Sequence, residues 1–162
     1  MRVLVLSDTH VPQAAREIPG EVLREAERAD AVIHAGDWTD IETLGLLRGM
    51  DRPLFAVRGN MDGPEVSAVL ESKAVFRLGG LLVGLAHGHG APWGLGQRVA
   101  GMFDEDLDVL VFGHSHRALV ERKNGMLLLN PGSPTDRTFT TMRSYGLLFV
   151  EANGARGEIR YL

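Results

Sequence analysis

Short apolar runs that end abruptly in polar residues recur along the chain and predict buried strands. The first covers Arg2 to Leu6, the second Ala31 to His34 and the third Pro53 to Val57. Two segments with apolar residues at helical spacing lie between these runs, at residues 19–29 and after Thr39, which we expect to cap the second helix. The alternation of strands and helices predicts parallel βαβ units in the first part of the chain.

The second part of the chain has the pattern of β-hairpins. Three pairs of apolar runs are separated by turn residues: residues 73–78 with 81–87, 118–121 with 126–130, and 145–151 with 157–162. A helix is predicted at residues 95–103 and a further buried strand at residues 108–112. The chain therefore has an α/β front and a β-rich back, and its length predicts a single domain over residues 1–162.

Composition narrows the chemistry that this fold can carry. The 162 residues are 44% hydrophobic and 23% charged with a net charge of −4, and no basic stripe is present, so we expect no nucleic-acid partner. The apolar run at the start has four residues, too short for a signal peptide or a membrane span, which predicts a cytoplasmic protein without a membrane partner. Because the chain has no Cys, a metal ion would be held by His, Asp, Glu or Asn.

Polar clusters follow five of the predicted strands: SDTH at 7–10, HAGD at 34–37, GNMD at 59–62, HGHG at 87–90 and GHSH at 113–116. All six histidines of the chain lie in these clusters. Since the carboxyl ends of strands form the ligand sites of open α/β sheets, we expect the clusters to meet. Residues two apart, such as Asp8 and His10 or His114 and His116, point the same way on an extended segment. The donors are too many for one tetrahedral zinc ion and fit two metal ions that share a ligand.

The motif series DxH, GD, GNxD, GH and GHxH, in this order, resembles the calcineurin-like metallophosphoesterase superfamily. The chain length, the HAGD and HGHG clusters and the NPGS at 130–133 are similar to its small bacterial and archaeal phosphodiesterase branch, the YfcE type. This resemblance implies an α/β fold, a four-layer α/β/β/α sandwich with two central mixed sheets. It also implies two divalent metal ions as cofactors, with Mn²⁺ favoured and Ni²⁺, Co²⁺, Fe²⁺ or Zn²⁺ as alternatives.

The resemblance further implies a role for each matching residue. Asp8, His10 and His116 would hold the first metal ion, Asn60, His87 and His114 the second, and Asp37 would bridge the two. A metal-bridging hydroxide would then attack phosphorus in line, with Asp37 and Asn60 acting in catalysis as ligands. Many members have His where this chain has Met61, and Met cannot act as a general acid. We expect His89 to assist through proton transfer or substrate contact, with a structural role as the alternative.

Other polar residues are expected to support the site or to lie on the surface. His34 is expected to be a buried, hydrogen-bonded partner of the ligands rather than a ligand, and Asp62 either to support the ligands or to stabilise the turn. For Arg137 and Arg143 we expect surface positions, with contact to a phosphate group as the alternative.

The predicted function is a dinuclear-metal-dependent phosphodiesterase that hydrolyses a small phosphate ester. One alternative is a phosphomonoesterase. Another is a catalytically silent binding scaffold on the same fold, because the scaffold subunit of the retromer coat resembles this branch and has lost part of its metal site. The complete ligand set in this chain favours the enzyme. The resemblance also suggests a homodimer.

Overall fold

Two five-stranded sheets form the centre of the computed structural model, which describes residues 1–162. The strands are β1 (Arg2–Leu6), β2 (Ala31–His34), β3 (Leu54–Ala56), β4 (Lys73–Leu78), β5 (Leu81–Ala86), β6 (Val109–Val111), β7 (Leu119–Lys123), β8 (Met126–Asn130), β9 (Ser144–Glu151) and β10 (Gly154–Tyr161). The helices are α1 (Gly20–Arg28), α2 (Ile41–Arg48), α3 (Pro64–Ser67) and α4 (Leu95–Ala100). None of these helices has the length and apolar character needed to cross a membrane.

Both sheets combine parallel central strands with antiparallel hairpins. The first has the order β10-β9-β1-β2-β3, in which β1, β2 and β3 are parallel and the β9–β10 hairpin is antiparallel to β1. The second has the order β4-β5-β6-β8-β7, in which β5, β6 and β8 are parallel and β4 and β7 form the antiparallel edges. The predicted mixed sheets are therefore confirmed.

Side chains that alternate along each strand divide the core into layers. On β1, Val3 and Val5 pack between the two sheets, whereas Leu4 and Leu6 pack against α1 and α2. On β6, Val109 faces the other sheet and Leu110 packs against α4. Burying each such side chain stabilises the fold by about 1.5–3 kcal/mol. This arrangement of helix, sheet, sheet and helix is the four-layer sandwich that the family resemblance implied.

The three hairpins are present, and their turns explain their positions. Gly79 and Gly80 between β4 and β5 have φ angles of 55° and 91°, and Asn124 and Gly125 between β7 and β8 have φ angles of 52° and 87°. Left-handed residues at both central positions match the twist of a two-residue hairpin. Strand β10 begins at Gly154, earlier than the predicted residue 157.

The helices differ from the predictions at the cap of α2, at the end of α4 and in the presence of α3. Asp40, not Thr39, caps α2, because the Asp40 carboxylate accepts a hydrogen bond from Thr43 N at 2.7 Å. Helix α4 ends at Ala100, before the predicted residue 103, although Phe103 still packs in the same core cluster. The four-residue helix α3 was not predicted, because four residues are too few for a periodic apolar pattern.

Candidate metal centre

The loops that follow β1, β2, β3, β5 and β6 meet where the carboxyl ends of the two sheets come together. They surround a cavity of about 560 Å³, and five of the seven expected metal ligands line it: His10, Asp37, Asn60, His114 and His116. The other two, Asp8 and His87, are buried beneath them. All seven side chains therefore belong to one cluster or to the wall of the cavity above it.

The first part of the cluster contains Asp8, His10 and His116. Asp8 Oδ1 lies 3.2 Å from His116 Nε2 and 3.9 Å from His10 Nε2, and the two Nε2 atoms are 3.3 Å apart. These three residues offer ligand atoms that all lie within 4.8 Å of one another. The grouping matches the set expected for the first metal ion.

The second part of the cluster contains Asp8, Asp37 and His87, again with ligand atoms within 4.8 Å of one another. Asp37 Oδ2 lies 3.2 Å from His87 Nε2 and 3.5 Å from His10 Nε2, so this oxygen contacts both parts. Its position suits the bridging role expected for Asp37. Asp8 also belongs to both groups, which the sequence did not indicate.

Asn60 and His114 face each other across the cavity wall. His114 Nδ1 lies 2.9 Å from Asn60 Oδ1, and His114 Nε2 donates a hydrogen bond to Gly90 O at 3.0 Å. The two atoms that could bind a metal ion are thus adjacent to each other. They lie at the more exposed side of the cluster.

The buried ligand atoms are arranged for binding metal ions rather than for hydrogen bonding to one another. Asp8 Oδ1 and His87 Nε2 are buried atoms without a hydrogen-bond partner, whereas buried polar atoms normally have one. Neighbouring ligands of an ion with bonds of about 2.1 Å lie roughly 3.0–3.4 Å apart in octahedral or tetrahedral geometry. The separations of 3.2 Å for Asp8–His116 and 3.2 Å for Asp37–His87 match that spacing. The residues therefore fit a divalent cation in each part of the cluster.

Hydrogen bonds on the far side of two imidazoles direct their other nitrogen into the cluster. His87 Nδ1 donates to Ala35 O at 2.7 Å, and His116 Nδ1 donates to Asp136 Oδ2 at 2.6 Å. With Nδ1 fixed as the donor, Nε2 of each ring becomes the atom available to a metal ion.

Burial and charge shift the pKa values of the cluster. Burial opposes ionisation of Asp8, but its contact with His116 and the charge of His87 lower its pKa to about 2. Burial also opposes the charged forms of the histidines, but nearby carboxylates raise the pKa of His87 to about 8 and that of His116 to about 9. Burial lowers the pKa of His10. Since metal ligands bind in their deprotonated forms, metal binding must displace protons from His87 and His116.

The backbone is left-handed at most of the expected ligands. Seven residues other than Gly have positive φ, and five of them are Asp8, His10, Asp37, His114 and His116, with φ between 42° and 68°. Such conformations cost roughly 1–3 kcal/mol each and concentrate at functional sites. The expectation that the paired residues lie on extended segments is therefore wrong. Left-handed turns, not extended chain, bring Asp8 beside His10 and direct His114 and His116 to different neighbours, Asn60 and Asp8.

Asp62 joins the loop after β2 to the loop after β3. Its carboxylate accepts hydrogen bonds from the backbone N–H groups of Trp38 and Thr39 at 2.7 and 2.8 Å, and from Gly59 and Asp37 at 2.7 and 3.2 Å. Asp37 Oδ1 in turn accepts a hydrogen bond from Met61 N at 2.8 Å. The turn-stabilising role expected for Asp62 is confirmed. The Met61 side chain is 51% exposed and lines the cavity.

His34 is fully buried behind the cluster, as expected. Its Nδ1 accepts a hydrogen bond from Gly36 N at 3.1 Å, and its Nε2 lies 3.1 Å from Thr9 Oγ1. Burial lowers the pKa of His34 to about 3, so the ring is neutral. It also stacks on Trp38 with ring centroids 3.5 Å apart.

The structure does not bring His89 into the cavity. His89 is exposed and is absent from the cavity wall, and its backbone oxygen accepts a long contact of 3.4 Å from Arg98. A role for His89 in proton transfer has no contact in the structure to support it. Arg137 is exposed and Arg143 is partly buried, and neither lines the cavity.

Three residues at the site were missed by sequence reasoning. Asp136 is the hydrogen-bond partner of His116, and Phe139 and Arg117 line the cavity. The available signal for Asp136 was its place shortly after NPGS, in the loop that follows β8. Asn130 and Ser133 of that motif are buried, and Ser133 Oγ donates a hydrogen bond to Asp8 O at 2.7 Å. NPGS therefore supports the strand end that carries Asp8.

Known relatives share sequence with almost the whole chain. A probable metallophosphoesterase of Methanothermobacter thermautotrophicus is 37% identical over 136 residues, which is 83% of this chain and 78% of that protein. The probable metallophosphoesterase YsnB of Bacillus subtilis is 30% identical over 159 residues, which is 96% of this chain and 88% of that protein.

Solved structures share the fold. Protein TM1076 of Thermotoga maritima has a TM-score of 0.77 and 36% identity, covering 99% of both chains. Vps29 of Entamoeba histolytica, solved in complex with zinc, has a TM-score of 0.76 and 27% identity, also covering 99% of both. An archaeal phosphodiesterase has a TM-score of 0.74 at 23% identity, over 99% of this chain and 100% of the other, and this likeness shows the fold alone.

The sequence profile of the calcineurin-like phosphoesterase superfamily domain matches residues 1–153, which span all five polar clusters of the candidate metal centre. The resemblance that the motifs indicated is thereby confirmed. The chain belongs to the calcineurin-like phosphoesterase superfamily.

Proposed function

We propose that the protein is a phosphodiesterase that depends on two divalent metal ions, with Mn²⁺ as the favoured ion. The observation that carries this proposal is the pair of ligand groups that share Asp8, in which Asp8 Oδ1 and His87 Nε2 are buried next to other ligand atoms but form no well-aligned hydrogen bond. Asp8, His10 and His116 would hold one ion, Asn60, His87 and His114 the other, and Asp37 both. Bound divalent cations supply positive charge for phosphate oxygens and lower the pKa of water for attack on phosphorus.

The residues of the chain would contribute position rather than covalent chemistry. Water adds to phosphorus, the bond from phosphorus to the leaving oxygen breaks, and the products are a phosphomonoester and an alcohol. Phosphoryl transfer of this kind needs mainly positioning and charge neutralisation. The left-handed turns and the four hydrogen bonds to Asp62 fix the ligands before substrate arrives.

The space around the cluster supports a diester. A second cavity of about 270 Å³ adjoins the first, and Pro92, Ser115 and Arg117 line both. A diester carries organic groups on two sides of phosphorus, and two adjoining cavities give room for both. A phosphomonoester would leave one of them unused.

The leaving group would receive little help from the protein. Met61 occupies the cavity wall and has no proton to donate, and His89 lies outside the cavity. General acid catalysis commonly contributes about 10²–10⁴-fold. Hydrolysis is therefore expected to fall steeply as the leaving alcohol becomes more basic, and aryl esters should react far faster than alkyl esters.

A binding scaffold is the second candidate, because several structural neighbours are Vps29 proteins at 24–27% identity. What argues against it is the site itself. All seven expected ligands are present, and each of them contacts another from a different loop, either within the cluster or through the Asn60–His114 contact. Hydrolysis needs the complete set, so its presence favours the enzyme.

The test compares an aryl phosphodiester with an aryl phosphomonoester as substrates for protein stripped by a chelator and then given Mn²⁺. Diester turnover that needs the metal and is lost in Asp37→Ala is the expected result. Turnover of the monoester alone would contradict the diesterase. If neither ester reacts with Mn²⁺, Ni²⁺, Co²⁺ or Zn²⁺, the scaffold becomes the better account.

A further inference from the structure

The wall of the cavity next to the metal centre carries an aromatic ring and a cation that the ligand set does not explain. Phe139 is 73% exposed yet lines the cavity, and its ring stands at 87° to that of His116 with centroids 5.4 Å apart. Arg117 lines the same cavity and is the single Lys or Arg among its lining residues. Its guanidinium makes no hydrogen bond and no ion pair.

The backbone that carries Phe139 is tied to the metal centre. The Asp136 carboxylate that accepts from His116 Nδ1 also accepts from Thr138 N at 2.8 Å and from Phe139 N at 3.0 Å. The base of the aromatic side chain is thus fixed to a metal ligand through one carboxylate. An exposed ring on such a support is placed for a ligand and not for the core.

Apolar surface continues around the ring. Met61, 51% exposed, lies in the same cavity wall, as do Ala14 and Pro92. Exposed apolar groups gathered at a concave site mark ligand-binding surface, because leaving them in water is unfavourable. The cavity thus combines the expected metal ligands with apolar side chains in its wall. This combination fits a small anion that carries an apolar substituent.

We propose that Phe139 is a stacking platform for a planar aromatic group joined to the phosphate, an aryl group or a nucleobase, and that Arg117 binds the phosphate charge. The proposal rests on the phosphodiesterase function and names the substrate class of the same site. The Phe139 ring packs against the His116 ring, which belongs to the cluster. It can therefore contact a substituent a few bonds away from a phosphate group bound at the cluster. Aromatic side chains stack on planar rings without needing a particular base or aryl group.

The test measures binding without turnover. Diphenylphosphinate and diethylphosphinate carry the same charge, and their P–C bonds cannot be hydrolysed, so calorimetry with Mn²⁺-loaded protein reports affinity alone. Wild-type protein is expected to prefer the diphenyl compound by roughly 2- to 12-fold more than the F139A variant does, since aromatic pairing contributes about 0.5–1.5 kcal/mol. Phe139→Trp should keep the preference. Arg117→Gln should weaken both compounds by a similar factor and leave their ratio unchanged.

Trp93→Ala is the matched control, because Trp93 is 77% exposed but does not line the cavity. It should leave both affinities unchanged. An F139A variant that binds Mn²⁺ normally and keeps the full diphenyl preference would overturn the proposal. If wild-type protein shows the Phe139-dependent preference but hydrolyses no ester, binding of the aromatic class stands and the phosphodiesterase falls. If it hydrolyses diesters without that preference, the reverse holds.

Discussion

The imidazole ring of His116 contacts a different carboxylate through each of its two nitrogens. Its Nε2 faces Asp8 inside the cluster, and its Nδ1 donates to Asp136, a carboxylate that is 4% exposed. Burial raises the pKa of Asp136, but the hydrogen bond from His116 and those from two backbone N–H groups lower it more, so this carboxylate is ionised. Partners of this kind fix the tautomer and the orientation of a metal-binding histidine. Asp136 is therefore expected to act as a positioning residue.

Replacing Asp136 should weaken metal binding. Asp136→Ala removes the acceptor of His116 Nδ1, and losses of about 10- to 100-fold in metal affinity are typical of such changes. Mn²⁺ affinity measured by calorimetry tests this. Asp136→Glu, which keeps a carboxylate, should recover part of the loss. Equal affinities for the wild-type and D136A proteins would show that Asp136 only supports its own loop.

Among single residues, the histidines were predictable from sequence and Asp136 was not. Each expected ligand follows a predicted strand within a short polar motif, so its position could be read locally. Asp136 contacts His116 although 20 residues separate them in the sequence. No spacing rule links two residues that far apart. The contact is made by tertiary folding alone. The same holds for Phe139, whose exposure at the cavity has no local signature.

At the scale of loops and strands, close backbone packing holds the ligand clusters together. Gly113, two residues after β6, accepts a hydrogen bond from Asn130 Nδ2 at 2.8 Å and donates one to His87 O at 3.0 Å. The next residue, His114, donates its N–H to Asp8 Oδ2 at 3.0 Å. A Cβ on Gly113 would overlap Ser7 Oγ and lie 2.8 Å from Asp8 Oδ2. Gly is required here for space, since its φ is not left-handed.

Gly113→Ala should displace Asp8 and lower both metal affinity and stability. Forcing a methyl group into a packed region typically costs about 1–3 kcal/mol. Urea unfolding of the metal-free protein and calorimetry with Mn²⁺ measure the two effects. Gly63→Ala is the control, because a Cβ at Gly63 has no atom within 4 Å and its φ is −71°. A G113A variant with the metal affinity of the control would disprove the packing argument.

The elements themselves were predicted well where an apolar run or a turn pair marks them. The strands β1 and β2 have the predicted bounds, and Gly79-Gly80 places the β4–β5 hairpin. The end of α4 was missed because Phe103 continues the apolar pattern into the loop and packs with the helix. The left-handed conformations of the ligands could not be predicted, since Asp and His favour other conformations without tertiary support.

For the whole molecule, the candidate metal centre lies between the two sheets and draws residues from both. Asp8, His10 and Asp37 follow strands of the first sheet, whereas His87 and His116 follow strands of the second. Without a cation, this region contains buried carboxylate and imidazole atoms that form no hydrogen bond, which is unfavourable. A bound cation would coordinate those atoms and so connect residues from both sheets. Stability and metal occupancy are therefore expected to be coupled.

Removing the metal should lower the Tm of the protein. Adding Mn²⁺ back should raise the Tm in a concentration-dependent way. A ligand that binds only the folded state adds about 2.7 kcal/mol at a concentration 100 times its Kd. For a chain of this size that corresponds to an increase in Tm of roughly 5–10 °C. Calorimetric unfolding of chelator-stripped protein across a Mn²⁺ series measures it. Asp37→Ala, which removes the carboxylate between both parts of the cluster, should shift much less over the same series. A wild-type Tm that does not depend on Mn²⁺ would mean that the two sheets are joined by their apolar core alone, and that the cluster does not bind this ion.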